Sequence, residues 1–327
     1  MNRRATLAVS LTRWLVVALL VVGCAKPRQS NIETRSAELA RSLSTVAPLE
    51  AARHGHSAQI VDHQLIVLGG FADGSLEADR GGRETWRQDL TTRTWRRGAD
   101  MPTERAFFAT VVIQNTLYAI GSGIDSYDIG LDAWRNIVAT DSTPRSHFGA
   151  PALGTKIYVL GGFPAAFGGF FAIDIETRGI DDLPEPPNFK IGDHFHIVSA
   201  LNGAIHVIGG ILHEKFDVST QHWVLDGSTW RAAAPPPTSV WTKFAVVQVA
   251  DDDLYYFCGP CGLRFDATTD RWSDAAPLEP VICMPASVYC DDKILVLGGL
   301  YVDSGPSRVV HQYDIDNDEW LRLVKRS

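Results

Sequence analysis

Three arginines recur at one register of this chain. Arg53, Arg105 and Arg145 each stand 16 residues before the first member of a small-residue pair, Gly69-Gly70, Gly121-Ser122 and Gly161-Gly162. A guanidinium is a planar fork of donors suited to carboxylate or phosphate, so an arc of three would hold an anion. Histidines gather beside them: His54, His56, His147, His194 and His196. The pairs His54/His56 and His194/His196 have the spacing that puts both side chains on one face of a strand. There an imidazole could move a proton near neutral pH or ligate a metal. Phe163 and Trp241 fall in the same region, and apolar surface beside polar groups suits a sugar or peptide ligand. The ligand-contacting set read from the sequence is Arg53, Arg105, Arg145, His194, Phe163 and Trp241. No carboxylate cluster completes a metal site, and no cofactor is expected. The loop Asp73 to Asp79 carries oxygen donors but lacks the full pattern of a calcium loop.

The elements that must position these groups belong to a repeat. Leu65 to Gly70, Leu117 to Ser122, Ile157 to Gly162, Ile205 to Gly210, Leu254 to Gly259 and Ile294 to Gly299 each read as an apolar strand closed by two small residues. They recur every 40 to 52 residues, the range of propeller blades. A second signal follows: Asp with Trp six residues on, as in Asp89 and Trp95, Asp128 and Trp134, Asp266 and Trp272, Asp314 and Trp320. In the third copy Asp174 leads to Ile180. In the fourth, Trp230 is preferred to Trp223 because it stands closer to Pro235-Pro236-Pro237. Gln88 occupies, in the first copy, the aromatic or apolar position before the Asp.

This pattern resembles the kelch repeat over residues 49 to 325. The resemblance implies an all-β fold, a six-bladed kelch-type β-propeller over residues 49–327, each blade having four strands ordered from the centre outward. The physical logic agrees. A glycine pair permits a sharp exit at positive φ, Trp supplies bulk between neighbouring sheets, and radial repetition hides most strand edges. The innermost strand then lines the channel, and its start shares one mouth with the end of the second strand, which puts the arginines there. The stretch Trp320 to Val324 gives blade 6 its own last strand. The ring therefore closes by side-to-side packing or by an outer strand from residues 42 to 48.

At the other end of the chain, Arg3, Arg4 and Arg13 precede an apolar run from Trp14 to Val22. It is too short for a comfortable membrane span and reads as a secretory signal. It ends in Val21-Val22-Gly23-Cys24, which resembles the lipobox of bacterial lipoproteins. That resemblance implies a signal peptide over residues 1–24, lipid on Cys24, a tether over 25–48 and attachment to the bacterial envelope. Ala25 after the cysteine points, by the same resemblance, to the outer membrane facing the periplasm. Cys258, Cys261, Cys283 and Cys290 remain, and an even number in an exported domain invites disulfides. The pairing is either Cys258 with Cys261 or Cys283 with one of these. Cys258-Gly259-Pro260-Cys261 looks like a redox motif but lies at a strand end, not at the helix N-terminus that activates such a thiol.

A formal charge of -8, with 38 acidic against 30 basic residues, argues against a nucleic-acid partner, which needs a concentrated basic face. The favoured reading is a non-catalytic, lipid-anchored recognition module taking an anionic glycan or acidic peptide at the channel mouth. One alternative is an enzyme resembling bacterial N-acetylneuraminate epimerases, exported six-bladed kelch propellers acting on an acidic sugar. No local motif carries over that family's catalytic residues. The other is an envelope scaffold binding a protein partner.

Overall fold

Runs such as Leu65-Ile66-Val67-Leu68 are apolar at every position because both faces of the strand are buried. Leu65 and Val67 pack into one cluster with blade-6 residues Val288 and Leu295. Ile66 and Leu68 pack into another with Leu117 and Ala119 of blade 2. Alternation along a strand thus feeds two seams at once. The apolar core of the computed structural model is divided into six such clusters, one between each pair of neighbouring blades. The structure describes residues 46–75, 81–121, 123–138, 146–162, 169–190, 195–212, 217–240, 245–258, 260–301 and 303–323, and no helix occurs among them. Cys24, the tether up to residue 45, Arg145, Phe163, His194 and Trp241 lie outside these residues.

Six four-stranded antiparallel sheets follow one another in the chain, spanning 57–97, 109–138, 152–182, 197–232, 246–274 and 286–323. Blade 1 illustrates the pattern, with Ser57–Val61 innermost, then Gln64–Leu68, Thr85–Asp89 and Trp95–Arg97 outermost. Two-residue turns such as Asp62-His63 and Asp291-Asp292, with both residues at positive φ, join the first strand to the second, as tight hairpins require. Between their second and third strands, blades 4 and 6 each insert a short hairpin, Ile211–Leu212 with Asp217–Val218 and Leu300–Tyr301 with Gly305–Pro306.

The glycine pairs are required by the neighbouring blade. The second glycine donates its N–H to the carbonyl where the next blade begins: Gly70 to Arg105, Gly210 to Val240 and Gly299 to Arg53, at 2.8–2.9 Å. A Cβ on Gly209 would stand 2.1 Å from the Val240 carbonyl oxygen, and one on Gly69 would stand 2.5 Å from that of Arg105. Both residues also hold positive φ, 64° and 58°.

The Asp and Trp signal serves the outer rim. Each Asp accepts backbone N–H groups of its own turn, as Asp89 does from Thr91 and Thr92. Each Trp clamps the preceding blade. Trp134, Trp272 and Trp320 donate through Nε1 to the carbonyls of Ala99, Ala234 and Ala276, all at 2.9 Å. The N–H groups of the same three alanines donate to Asp132, Asp270 and Asp318. Trp230 donates to Pro184, which assigns it to the repeat position. Ile180, in blade 3, has no indole to offer and is 56% exposed.

The ring closes by side-to-side packing, aided by a segment that adds no strand. Val46 to Leu49 cross from blade 6 to blade 1: Leu49 N–H donates to Arg308 O, and Trp95 donates to Pro48 O. Pro48 thereby stands where Ala99 stands for Trp134. Blade 1 has Arg93 at the turn position of Asp132, and Pro48 has no N–H to donate there; the N–H of the preceding Ala47 donates to Gln88 Oε1 instead, at 3.1 Å. That exchange explains why Gln88 interrupts the aromatic pattern.

At the seam of blades 4 and 5, His206 Nδ1 and His222 Nε2 are 2.9 Å apart, and His222 Nδ1 is 2.9 Å from the Ala234 carbonyl. His222 therefore donates to Ala234 and accepts from His206. Burial, with the neighbouring imidazole, lowers the His206 pKa to about 3; burial lowers that of His222 to about 4. His311 is likewise lowered to about 4 by burial.

Two outcomes are expected. Gly209→Ala should lose roughly 2–4 kcal/mol in urea unfolding, from left-handed strain plus collision with Val240. The unfolded chain takes up protons on these histidines near pH 6.5, and the folded chain does so only near pH 3–4. Stability should therefore be full above pH 6.5 and fall below it by roughly 1.4 kcal/mol per pH unit for each histidine. Urea titrations from pH 7 to 4.5 check this, and His206→Phe should flatten the slope.

Candidate functional site

Two residues beyond the arginine register lies a ring that the sequence reading missed. Gly55, Phe107, His147, Phe195 and Met284 occupy equivalent positions in blades 1, 2, 3, 4 and 6, all with φ between 53° and 60°. Each of the first four donates its backbone N–H to the preceding member's carbonyl: Gly55 to Met284, Phe107 to Gly55, His147 to Phe107, Phe195 to His147, at 2.8–3.4 Å. The result is a hydrogen-bonded collar around the channel mouth. Phe244 holds the sixth position by register and lies outside the described residues. Side chains in this conformation cost about 1–2 kcal/mol each relative to the right-handed one, so glycine would be the cheap choice, yet only Gly55 takes it among the described members. The signal was present in the register count, two residues past Arg53, but a bulky residue at positive φ has no marker in the sequence.

Rings follow the collar through blades 1 to 4. Centroids lie 5.3 Å apart for His54 and Phe71, 5.6 Å for Phe71 and Phe107, 4.6 Å for Phe107 and His147, and 4.7 Å for His147 and Phe195. Phe107 and His147 are half-buried, whereas Phe71 and Phe195 are buried. Below the collar the channel wall is polar and stitched between blades: Ser57 Oγ meets Thr110 Oγ1 at 2.6 Å, and Gln59 donates to the Thr110 carbonyl at 2.9 Å.

The two described arginines reach the mouth with different bonding. Arg105, 5% exposed, is fully engaged: Nη2 pairs with Asp125, Nη1 donates to Ala119 O at 2.7 Å, and Nε donates to Thr103 Oγ1 at 3.1 Å. Asn136 donates to the other Asp125 oxygen. The Arg53 side chain, in a residue 4% exposed, makes one hydrogen bond to the described residues, from Nη1 to Gly69 O at 2.8 Å. Burial lowers its pKa, against the pull of Glu84.

His54 and His56 accompany Arg53. His54 Nε2 meets the Asp73 carbonyl at 2.8 Å, while its Nδ1 has no hydrogen-bond partner. His56 has none on either nitrogen, though it is 5% exposed. The Leu297 carbonyl acts on its charge in the direction that raises the pKa, as the smallest of the influences on the ring. Burial, then the charges of Arg53 and His54, push the His56 pKa well below its ordinary value, so the ring is neutral. Gly70 and Gly298 make room for it, since a Cβ on either would approach His56 to 2.6 or 2.9 Å. His196 stands at the same register in blade 4, against Gly210. No group of three His, Cys, Asp or Glu side chains converges as metal ligands would, among the described residues.

In blade 5 the small-residue pair is replaced by chemistry. Cys258 and Cys261 are disulfide-bonded, with Cα atoms 5.2 Å apart, and Cys258 N–H donates to Cys261 O. The bond is thus the local one of the two alternatives, and Cys283 and Cys290 remain thiols.

Arg105→Ala should cost about 3–5 kcal/mol, because it leaves Asp125 buried and uncompensated. Arg105→Met with Asp125→Leu should recover most of that loss, as read by urea midpoints.

Comparison with known proteins agrees with this geometry. Residues 282–325 match the Kelch motif family. Kelch-like protein 15 of Mus musculus is 22% identical over 285 residues, 80% of this chain and 41% of the relative. An F-box/kelch-repeat protein of Arabidopsis thaliana is 29% identical over 170 residues, 48% of this chain and 43% of the relative. The chain thus spans about two fifths of the length of these curated relatives. The solved structure of YjhT superposes with a TM-score of 0.68 at 12% identity, covering 86% of this chain and all of the other. Repeat, seams and collar together make this chain a six-bladed β-propeller, and the last of its six repeats, over residues 282–325, matches the Kelch motif.

Proposed function

We propose that this chain is a recognition module whose channel mouth takes an anionic glycan or an acidic peptide. A kelch propeller is a binding scaffold, and the observation that gives the ligand its chemistry is the bonding at the start of blade 1. His54 and His56 are at least 95% buried and leave ring nitrogens without hydrogen-bond partners among the described residues, and the equally buried Arg53 guanidinium stands beside them with one hydrogen bond to Gly69 O. Buried polar groups in native proteins are satisfied in the great majority of cases, and leaving them bare costs free energy. A carboxylate would pair the Arg53 donors, and ligand hydroxyl or amide groups would pair the imidazoles. Arg145, His194, Phe163 and Trp241 complete the proposed contacts from blades 3 to 5 by register. Arg105 acts as a brace, its guanidinium held by Asp125.

The proposal places the propeller on the periplasmic side of the bacterial outer membrane, anchored by lipid on Cys24. The basic and apolar start of the chain supports this, as does the Cys258–Cys261 bond, since disulfides persist in oxidising compartments. A second reading, a sugar-acid epimerase, draws on His54 and His56 as neutral imidazoles whose unpaired nitrogens would hydrogen-bond and orient a sugar acid.

The test is a thermal-shift titration of the purified chain against acidic sugars and acidic peptides. A ligand at 100 times its Kd should add about 2.7 kcal/mol of stability. Arg53→Met should weaken binding roughly 10- to 100-fold, the loss of one charged hydrogen bond of about 1.5–3 kcal/mol. Equal affinity in Arg53→Met would remove the anion site from blade 1. Anomer exchange of a bound sugar acid, abolished by His56→Phe, would select the enzyme.

A further inference from the structure

The tautomer of His54 is fixed by the hydrogen bond its ring makes. Nε2 stands 2.8 Å from the Asp73 carbonyl oxygen. A carbonyl only accepts, so Nε2 carries the proton and donates. Burial lowers the His54 pKa, so the ring is neutral at pH 7 and its Nδ1 is a bare lone pair. This nitrogen is buried and has no partner. The rings against it, Phe71 with its centroid at 5.3 Å and Phe107 at 6.4 Å, have no N–H or O–H to give. His56 is also neutral, with both nitrogens buried and unpaired. A neutral imidazole has one N–H and one bare nitrogen, so His56 adds one donor and a second lone pair. Both lone pairs lie near Arg53, whose charge, with that of His54, bears on His56. An imidazole nitrogen left bare in a buried place costs free energy comparable to a lost hydrogen bond. What the two lone pairs lack is a donor.

We propose that His54 Nδ1 and the bare nitrogen of His56 accept hydrogen bonds from ligand hydroxyls, so that the start of blade 1 selects a hydroxylated carboxylic acid over a plain carboxylate. This inference rests on the recognition reading above and narrows its ligand to hydroxy acids. Arg53 and the His56 N–H serve any carboxylate. His54 is the specificity-determining residue, because its tautomer leaves it only an acceptor to offer. An acidic peptide presents its carboxylate at the end of an apolar stem. It would pair Arg53 and leave both lone pairs bare. A hydroxyl close to the carboxylate pairs them at the same time, and a site with buried acceptors rejects the analogue that lacks the donor.

Three acids of one carbon skeleton test this: propionate, lactate and glycerate, which carry no hydroxyl, one and two. Isothermal titration of the full chain should show affinity rising roughly tenfold with each hydroxyl, the worth of a hydrogen bond to a buried group. Arg53→Met should weaken all three by a common factor, because they share the carboxylate. His54→Gln keeps an N–H for the Asp73 carbonyl and removes the ring acceptor. It should cut the preference for glycerate over propionate roughly tenfold, an effect that a merely structural His54 would not produce. The wild-type chain gives a readout that needs no variant. Its nitrogen NMR spectrum should show His54 protonated at Nε2 alone, with an Nδ1 resonance that moves on adding glycerate and stays in place with propionate. Equal, Arg53-dependent affinity for the three acids would overturn the hydroxyl reading and leave the anion site standing. A His54 protonated at Nδ1 would do the same. Binding of none of the three would overturn both.

Discussion

The structure depends on how closely the backbones of neighbouring blades approach at the channel mouth. In blades 1, 4 and 6 the second strand ends against the first carbonyl of the next blade, near enough that a methyl group on Gly209 would fall 2.1 Å from the Val240 oxygen. One turn further in, the collar members are joined directly by backbone hydrogen bonds. These contacts set the tilt between sheets, and the tilt decides how much side chain each seam must hold. The six apolar clusters and the Trp clamps at the rim are fitted to that spacing. Large residues fill the outer, wider part of each wedge, and glycine fills the narrow end. The cost of glycine's unfolded-state freedom is offset by N–H donation to the adjacent blade.

The seam between blades 6 and 1 is built from other parts, because the chain has no linker to run through it. A separate stretch, Val46 to Leu49, supplies what a linker supplies elsewhere, including the carbonyl that receives an indole N–H. Gln88 takes over the acceptor role of a turn aspartate. His54 and His56, beside Arg53, retain ring nitrogens unpaired among the described residues at this same place. Elsewhere the repeat pairs its own polar groups: Arg105 with Asp125, His206 with His222. The candidate site thus sits where repetition is broken and local partners are fewest.

Other departures from the repeat are structural substitutions. His222 adds a second donor to Ala234 O, already held by Trp272. Two imidazoles sharing one hydrogen bond in a dry seam are stable as neutral groups, and their low pKa values follow from that. Cys258 and Cys261 replace a glycine pair by a covalent closure of the same turn. In both cases a polar or reactive residue type, which in isolation suggests chemistry, closes a turn or a seam.

What the sequence by itself determined is the unit and its number. Apolar runs ending in small residues, Asp followed at six by Trp, and their spacing are local patterns, and each strand and turn follows from residues near it in the chain. The register of Arg53 and Arg105 at the mouth was legible for the same reason. Tertiary structure decided the bonding of each group. Arg105 and Arg53 share a register, yet one meets an aspartate 20 residues away and the other a lone carbonyl. The positive φ of Phe107 and His147 was illegible, because it is imposed by hydrogen bonds to residues 52 and 40 positions earlier, Gly55 and Phe107. Closure by Val46 to Leu49 depended on residues about 260 positions apart meeting across the ring. Local propensity carries no information about contacts at that separation, so only the closed ring could assign them.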